Sequence, residues 1–133
     1  SVPMPTIAVS LHHITLLVRD LDRAALFYDR GLGLTRKTRP PFSSRGIWYD
    51  LAGIEVHLIE TADGVPPRNE AHPAFETQDI RAAIASCLEH GGTLQQDVFV
   101  RTHDGSLSAF VRDPDDNLLE LTQHDNSSGA RPA

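Results

Sequence analysis

The sequence is poor in cysteine and has no long apolar run. Cys87 is the only cysteine, so the chain has no intrachain disulfide framework of the kind that holds many small secreted domains together. The N-terminus shows neither a basic segment nor a long apolar stretch, which gives no sign of a secretion signal or a membrane span. We therefore expect a protein of the reducing cytoplasm that does not act at a membrane.

Basic residues are also scarce. The chain has 12 Lys and Arg against 18 Asp and Glu, and its formal net charge is -6. Nucleic-acid surfaces need a basic patch, and none is visible here, so we expect a small-molecule partner. With 133 residues, the chain suits one domain that buries roughly two thirds of its unfolded surface without a structural metal.

The two halves of the chain carry a degenerate repeat. His13 is followed seven residues later by Asp20, and His72 is followed seven residues later by Asp79. An aliphatic residue comes directly after each aspartate, and Arg-Ala-Ala comes soon after that. Each copy is typical of a strand that begins beside a histidine and passes through an aspartate N-cap into a helix. A two-fold arrangement of the copies would bring the two histidines together.

The hydrophobic pattern predicts the same elements in each half. One short amphipathic helix follows each aspartate and ends at paired glycines. Strands are predicted over residues 11–18, 34–38, 46–51, 54–60, 72–77, 93–100, 107–112 and 117–123. We predict an α+β fold of two βαβββ modules that form a curved mixed sheet around an open cavity. Module one covers about 11–60, the linker 61–71 and module two about 72–123, within a single domain over 1–133.

Strand alternation indicates which polar side chains share a surface. His13 lies opposite the apolar face of the first strand, His72 lies opposite Phe75, and Glu120 lies opposite Leu119. All three side chains are therefore predicted to line the same concave surface. Two imidazoles and one carboxylate are a recurrent open site for one divalent transition metal such as Zn, Ni, Mn, Co or Fe.

A fourth ligand is less certain from the pattern. Counted from the turn before the last strand of each module, Gly53 matches Asp116, and His57 and Glu120 each follow four residues later. His57 is therefore the fourth candidate, whereas Glu60 has the other parity and is interpreted as a solvated strand end. A single strand histidine is more often an ordinary polar residue than a ligand, so the pattern leaves the role of His57 open.

The sequence resembles the vicinal oxygen chelate superfamily over nearly all of residues 11–123. The resemblance rests on the segments 13–21, 27–28, 72–75, 113–115 and 117–121. This superfamily includes glyoxalase I, fosfomycin-resistance enzymes, methylmalonyl-CoA epimerase, extradiol dioxygenases and bleomycin-binding proteins. In its metal-using members the matching residues bind the ion, which implies His13, His72 and Glu120 here.

Departures from the family patterns bear on the reaction. Glyoxalase I usually has a glutamate at the place of His57, which argues against its two-carboxylate proton shuttle. Extradiol dioxygenases carry a histidine and a tyrosine ahead of the Asp-Pro turn; His103 lies near the first place, but Phe110 takes the second. Bleomycin-binding relatives usually lack the ligand set, so its presence counts against pure sequestration.

We therefore expect a glyoxalase-like lyase or isomerase acting on a small substrate that chelates the ion through two oxygens. Glu120 is also its candidate catalytic base. An Fe(II) extradiol-type dioxygenase and a metal-free drug- or metabolite-binding protein are the alternatives.

Four further residues are candidates for substrate contact: Arg45, Trp48, Phe110 and Arg112. An arginine suits an anionic group, although surface charge and core aromatics are equally consistent with the pattern. Short modules leave sheet edges and helix backs uncovered, and relatives usually pair, so we also expect a homodimer.

Overall fold

The computed structural model describes residues 7–63 and 69–124. Within these ranges the first module has strands β1 His13–Val18, β2 Thr35–Lys37, β3 Gly46–Leu51 and β4 Ile54–Glu60. The second module has strands β5 Ala74–Glu76, β6 Thr93–Val100, β7 Leu107–Arg112 and β8 Leu118–Gln123. Every predicted strand is confirmed, although β1, β2, β5 and β8 are shorter than expected. The middle of the predicted linker, residues 64–68, lies outside the described residues, as do 1–6 and 125–133.

The helices begin where predicted. Helix α1 is Leu21–Ala25 and helix α2 is Ile80–Glu89. The side chain of Asp20 accepts a hydrogen bond from a backbone N–H in the first turn of α1, and Asp79 does the same for α2, both at 3.1 Å. Both aspartates therefore act as N-caps. Neither helix in the described part of the chain is long and apolar enough to cross a membrane.

The sequence pattern predicts one regular helix after Asp20, but the structure differs, because α1 is regular only over Leu21–Ala25. It continues as a π-helical segment, Leu26–Gly31, in which the N–H of Leu32 bonds to the carbonyl of Phe27 at 2.9 Å. Phe27 and Tyr28 in this segment are both fully buried. A π-helix turns through a smaller angle per residue than an α-helix, which helps two adjacent rings to face the same core.

The two modules form two separate four-stranded mixed sheets, in the orders β1-β4-β3-β2 and β5-β8-β7-β6. In each sheet the first strand runs parallel to the last, and the other pairs are antiparallel. The register repeats as well, because Thr15 pairs with His57 and Ala74 pairs with Glu120. This register confirms that His57 and Glu120 occupy equivalent positions.

The turns before the last strands are equivalent too. Gly53 has φ +88°, and Asp116 has φ +68°. A positive φ is easy for glycine and is tolerated by aspartate more often than by most side chains. The match that counting predicted between these two residues is therefore confirmed by their backbone conformation.

One hydrophobic core spans both modules. It joins the inner faces of both sheets to the two helices, and its fully buried members include Tyr28, Tyr49, Leu58, Leu119 and Leu121. Cys87 on α2 is buried in the same cluster, and burial raises the pKa of its thiol to about 11. The thiol is therefore packed in the core and held in its unreactive protonated form.

A group of buried polar contacts, here called the inter-module clasp, fastens the first module to the Asp-Pro-Asp turn of the second. Tyr28 Oη donates to Asp113 Oδ2 at 2.7 Å, and Arg23 Nη2 donates to Asp115 Oδ1 at 2.7 Å. The Asn117 amide donates to a backbone carbonyl of β1 at 3.0 Å. Burial, followed by the field of Asp113, raises the pKa of Tyr28 well above its usual value, so the phenol remains a donor.

Tyr28→Phe tests how much the inter-module clasp contributes to the stability of the fold. The substitution leaves the buried Asp113 carboxylate without one donor, and we expect the free energy of unfolding in urea to fall by about 1–3 kcal/mol. Tyr49→Phe is the matched control, because Tyr49 Oη donates at 2.8 Å to Asp29, which Arg36 also pairs and solvent partly reaches. Equal losses in the two variants would contradict a special role for the clasp.

Candidate functional site

Three aromatic rings lie stacked on the concave face of the first sheet. The Trp48 and His57 rings have centroids 4.2 Å apart and an interplanar angle of 6°, and the His57 and His13 rings follow at 4.1 Å and 15°. The ladder places Trp48 directly opposite His57 on neighbouring strands. Because both of its faces are covered, His57 is only 7% exposed.

A carboxylate and an ammonium group hold the middle ring of this stack. His57 Nε2 lies 2.9 Å from Glu55 Oε1, and Lys37 Nζ donates to Glu55 Oε2 at 2.8 Å. Hydrogen bonds from Lys37 and then from His57 lower the pKa of Glu55 to about 2. Since an ionised carboxylate can only accept, Nε2 of His57 carries the proton in this pair.

The second sheet holds an imidazole and a carboxylate at the equivalent place. His72 Nε2 lies 3.1 Å from Glu120 Oε1. The other oxygen, Glu120 Oε2, accepts from Arg101 Nη2 at 2.9 Å and from Ser108 Oγ at 3.0 Å. One oxygen of Glu120 is thus fixed by two donors, and the other faces the histidine.

The tautomer of His72 follows from its other nitrogen. His72 Nδ1 lies 2.7 Å from the carbonyl oxygen of Glu70, and because a carbonyl only accepts, Nδ1 must carry a proton. In the neutral imidazole, Nε2 is then a bare lone pair beside the carboxylate of Glu120. Two acceptors at this distance are stabilised by a shared cation, which is either a proton or a metal ion.

Donors around Glu120 set its charge. Partial burial opposes ionisation, but hydrogen bonds from Arg101 and then from Ser108 prevail and lower the pKa of Glu120 below its usual value. The carboxylate is therefore anionic near neutral pH, as a metal ligand must be.

Arg101 and Ser108 were not among the residues selected from the sequence pattern. Ser108 lies two residues from Phe110 on β7 and therefore on the same concave face, so strand alternation could have identified it. Arg101 follows β6, whose pairing with β7 shifts twice between Leu94 and Phe99. Irregular register of this kind removes the simple alternation from which a side chain's face is inferred.

The two aromatic substrate candidates lie beside the predicted ligands. Trp48 covers one face of His57, and Phe110 meets His72 edge to face, with ring centroids 5.2 Å apart. Both rings therefore flank a histidine on the concave surface, one in each module.

The two arginine candidates have other partners. Arg112 is only 7% exposed, and its Nη1 donates to the Asp116 carbonyl at 2.8 Å, so its place favours a structural role. Arg45 is exposed and pairs with Glu60 at 3.2 Å. The interpretation of Glu60 as a solvated strand end is wrong, because Glu60 Oε2 also accepts from the N–H of Leu21 at 2.9 Å and so caps the start of α1.

The predicted ligands form two separate groups in one chain. The first half-site contains His13, His57, Trp48 and Glu55, and the second half-site contains His72, Glu120, Arg101 and Ser108. Over residues 7–63 and 69–124 of a single chain, no three His, Cys, Asp or Glu side chains are grouped so that they could hold a metal ion. The structure therefore brings His72 and Glu120 together but leaves His13 with the other module.

The ionisation of Glu120 predicts a dependence of stability on pH. Because its folded pKa is lowered, the carboxylate stabilises the fold above its unfolded pKa, and this contribution is lost as the pH falls through the folded pKa. In Glu120→Gln, the free energy of unfolding measured in urea should decline less between about pH 6 and about pH 3 than in the unmodified protein. Parallel declines would show that the hydrogen bonds around Glu120 do not favour its ionised form.

Comparison with known proteins agrees with this architecture. The sequence model of the Glyoxalase/Bleomycin resistance protein/Dioxygenase superfamily matches residues 10–121, and the chain belongs to this superfamily.

Individual relatives are distant. The glutathione transferase FosA of Serratia marcescens is 30% identical over 129 residues, which cover 93% of this chain and 86% of that protein. Lactoylglutathione lyase GLX1 of Arabidopsis thaliana is 29% identical over 128 residues, or 84% of this chain, but the chain spans only 43% of that protein.

Solved structures share the fold. The genomically encoded fosfomycin resistance protein FosX from Listeria monocytogenes superposes with a TM-score of 0.74 at 21% identity, covering 94% of this chain and all of that one. A glyoxalase-related enzyme from Fulvimarina pelagi gives a TM-score of 0.71 at 23% identity, covering 86% of this chain and 87% of that one. At these identities the likeness concerns the fold alone.

Proposed function

We propose that the protein is a metal-dependent lyase or isomerase of the glyoxalase type that acts on a small substrate with two neighbouring oxygens. The observation that carries the proposal is the pairing of His72 Nε2 with Glu120 Oε1, two acceptors 3.1 Å apart whose other bonds fix them in place. Membership of a superfamily that contains glyoxalases supports the reaction class.

The proposed ligands, His13, His72 and Glu120, suit one divalent ion such as Zn, Ni, Mn, Co or Fe. Two neighbouring ligands of an ion that each lie about 2.0–2.2 Å from it are separated by roughly 2.8–3.1 Å in octahedral geometry and roughly 3.3–3.6 Å in tetrahedral geometry. The separation of His72 Nε2 and Glu120 Oε1 falls in the octahedral range. His72 also donates its Nδ1–H to a backbone carbonyl, as metal-binding histidines usually do with their other ring nitrogen. When bound, such an ion would polarise substrate oxygens and stabilise negative charge that develops on them.

His13 would complete the site from a second copy of the chain. In the described residues β1 pairs only with β4 and β5 pairs only with β8, so both are edge strands, as β2 and β6 are at the other end of each sheet. Open edges favour association with another strand or chain. Apolar side chains next to the β1 edge are also uncovered: Ile7, Val9 and Leu11 are 88%, 84% and 60% exposed. We therefore propose a homodimer in which each site combines the first half-site of one protomer with the second half-site of its partner.

The side chains around Glu120 limit what it can do as a base. Arg101 and Ser108 hold Oε2 and lower the pKa, so Glu120 as it stands is better suited to ligation than to proton removal. Proton transfer by Glu120 requires these two bonds to weaken during the reaction. Trp48 and Phe110 would form apolar walls that exclude water from the bound substrate.

Metal binding is the first test. Protein purified without chelators should carry one divalent ion per chain by elemental analysis, and His13→Ala, His72→Ala and Glu120→Ala should each remove it. His103→Ala is the matched control, because His103 is an exposed histidine whose Nε2 lies 3.3 Å from Asp104 and not beside a proposed ligand. Stoichiometric binding that survives both His13→Ala and Glu120→Ala would rule out this site.

Mixing variants tests whether two chains share the site. Neither a His13→Ala dimer nor a Glu120→Ala dimer should bind the ion, but a dimer with one chain of each kind keeps an intact site and should regain binding. A mixture of His72→Ala with Glu120→Ala chains is the control, because both changes fall in the second half-site and no intact site forms. If neither mixture regains binding, all three ligands must come from one chain. Light scattering that shows a monomer near 14.6 kDa would contradict the proposed dimer.

Reconstitution with Ni, Zn, Mn and Fe(II) separates the reactions. Isomerisation of a hemithioacetal with a redox-inert ion is the expected result. Oxygen uptake with a catechol only under Fe(II) would instead indicate a dioxygenase. If no ion binds while a small ligand still quenches Trp48 fluorescence, the protein is a metal-free drug- or metabolite-binding protein.

Thiol transfer is a second candidate reaction. It is favoured by the 30% identity to the glutathione transferase FosA, most of whose length this chain spans. The same metal-polarised oxygen chemistry would serve the opening of an epoxide by a thiol. Consumption of a thiol together with an epoxide, in the absence of hemithioacetal turnover, would select this reaction.

A further inference from the structure

The repeat makes His57 the natural fourth ligand, because it occupies the position that Glu120 holds in the second module. The contacts of His57 differ from those of Glu120, however. Glu120 presents one oxygen to His72 across a gap suited to an ion, whereas His57 lies flat against His13.

Stacked rings do not share an ion. An imidazole binds a metal through a nitrogen lone pair that lies in the plane of the ring, with the ion about 2.0–2.1 Å away. The planes of His13 and His57 are 4.1 Å apart at the centroids and only 15° from parallel. Their lone pairs therefore lie in two nearly parallel planes, one above the other, and no single ion near the rings can lie in both planes.

The surroundings of His57 also keep the ring in this orientation. Trp48 covers its second face at 4.2 Å, and Glu55, held in turn by Lys37, bonds to its Nε2. The ring is thus restrained on both faces and at one edge. His13 is more exposed: its Nδ1 lies 2.9 Å from Nδ1 of His12, and within the described residues its Nε2 has no hydrogen-bond partner.

We propose that His57 is a positioning residue rather than a ligand. It is the central plate of the stack formed by Trp48, His57 and His13, and it fixes the plane in which His13 presents its nitrogen. Metal binding by His13 itself rests on the function proposed above. With three protein ligands instead of four, the ion keeps open positions for the two oxygens of the substrate.

Two substitutions of similar size separate the roles. His57→Phe keeps a flat aromatic ring but removes both ring nitrogens. His57→Leu removes the aromatic ring as well. If His57 positions His13, calorimetric titration with Zn²⁺ should show near-unchanged affinity for His57→Phe and affinity roughly 10–100-fold weaker for His57→Leu. Loss of binding in His57→Phe as complete as in His13→Ala would make His57 a ligand and overturn the proposal, and so would unchanged affinity in His57→Leu.

A second measurement needs no metal. In the metal-free protein, NMR should show the His13 ring protons shifted upfield by the stacked ring, with the shift kept in His57→Phe and lost in His57→Leu. The same shift in all three proteins would overturn the positioning role. If His13→Ala leaves Zn²⁺ affinity unchanged, the proposed metal site fails, whereas the NMR result still decides whether His57 orders His13.

Discussion

The buried hydrogen bond from Tyr28 to Asp113 is the contact on which the candidate site most depends. Asp113 also accepts from the backbone N–H groups of Asp115 and Asn117, so its carboxylate shapes the turn that leads into β8. That turn sets where β8 begins and therefore where Glu120 faces. A core contact between the two modules thus helps to place Glu120, a candidate ligand, on the opposite side of the sheet.

The two modules use one backbone plan for different chemistry. The same pair of positions holds two stacked imidazoles in the first module, His13 and His57, and an imidazole with a carboxylate in the second, His72 and Glu120. The backbone repeat therefore supplies equivalent places, and the side chains decide whether a place holds a stacked ring or a carboxylate beside an imidazole. Such divergence explains how one fold accommodates the varied members of its superfamily.

Alternation and turn signals were sufficient to predict the two modules, the strands and helix of each, and the equivalence of His57 and Glu120. These features depend on local backbone geometry, which a sequence expresses directly. Arg101 was missed because β6 is irregular, and the role of Glu60 was missed because a cap can come from a distant strand. The separation of His13 from Glu120 was also out of reach, since alternation assigns a face to each strand but does not place one sheet relative to another.

The separation of the two sheets has a consequence for local unfolding. In the described residues no strand of one module pairs with a strand of the other, so each ladder of backbone hydrogen bonds ends within its own module. Cohesion between modules rests on apolar burial, which is non-directional, and on the few polar contacts made by residues such as Tyr28 and Asn117. Each module is therefore suited to open as a unit, and amide hydrogen exchange would register the two ladders as distinct cooperative units within one native state.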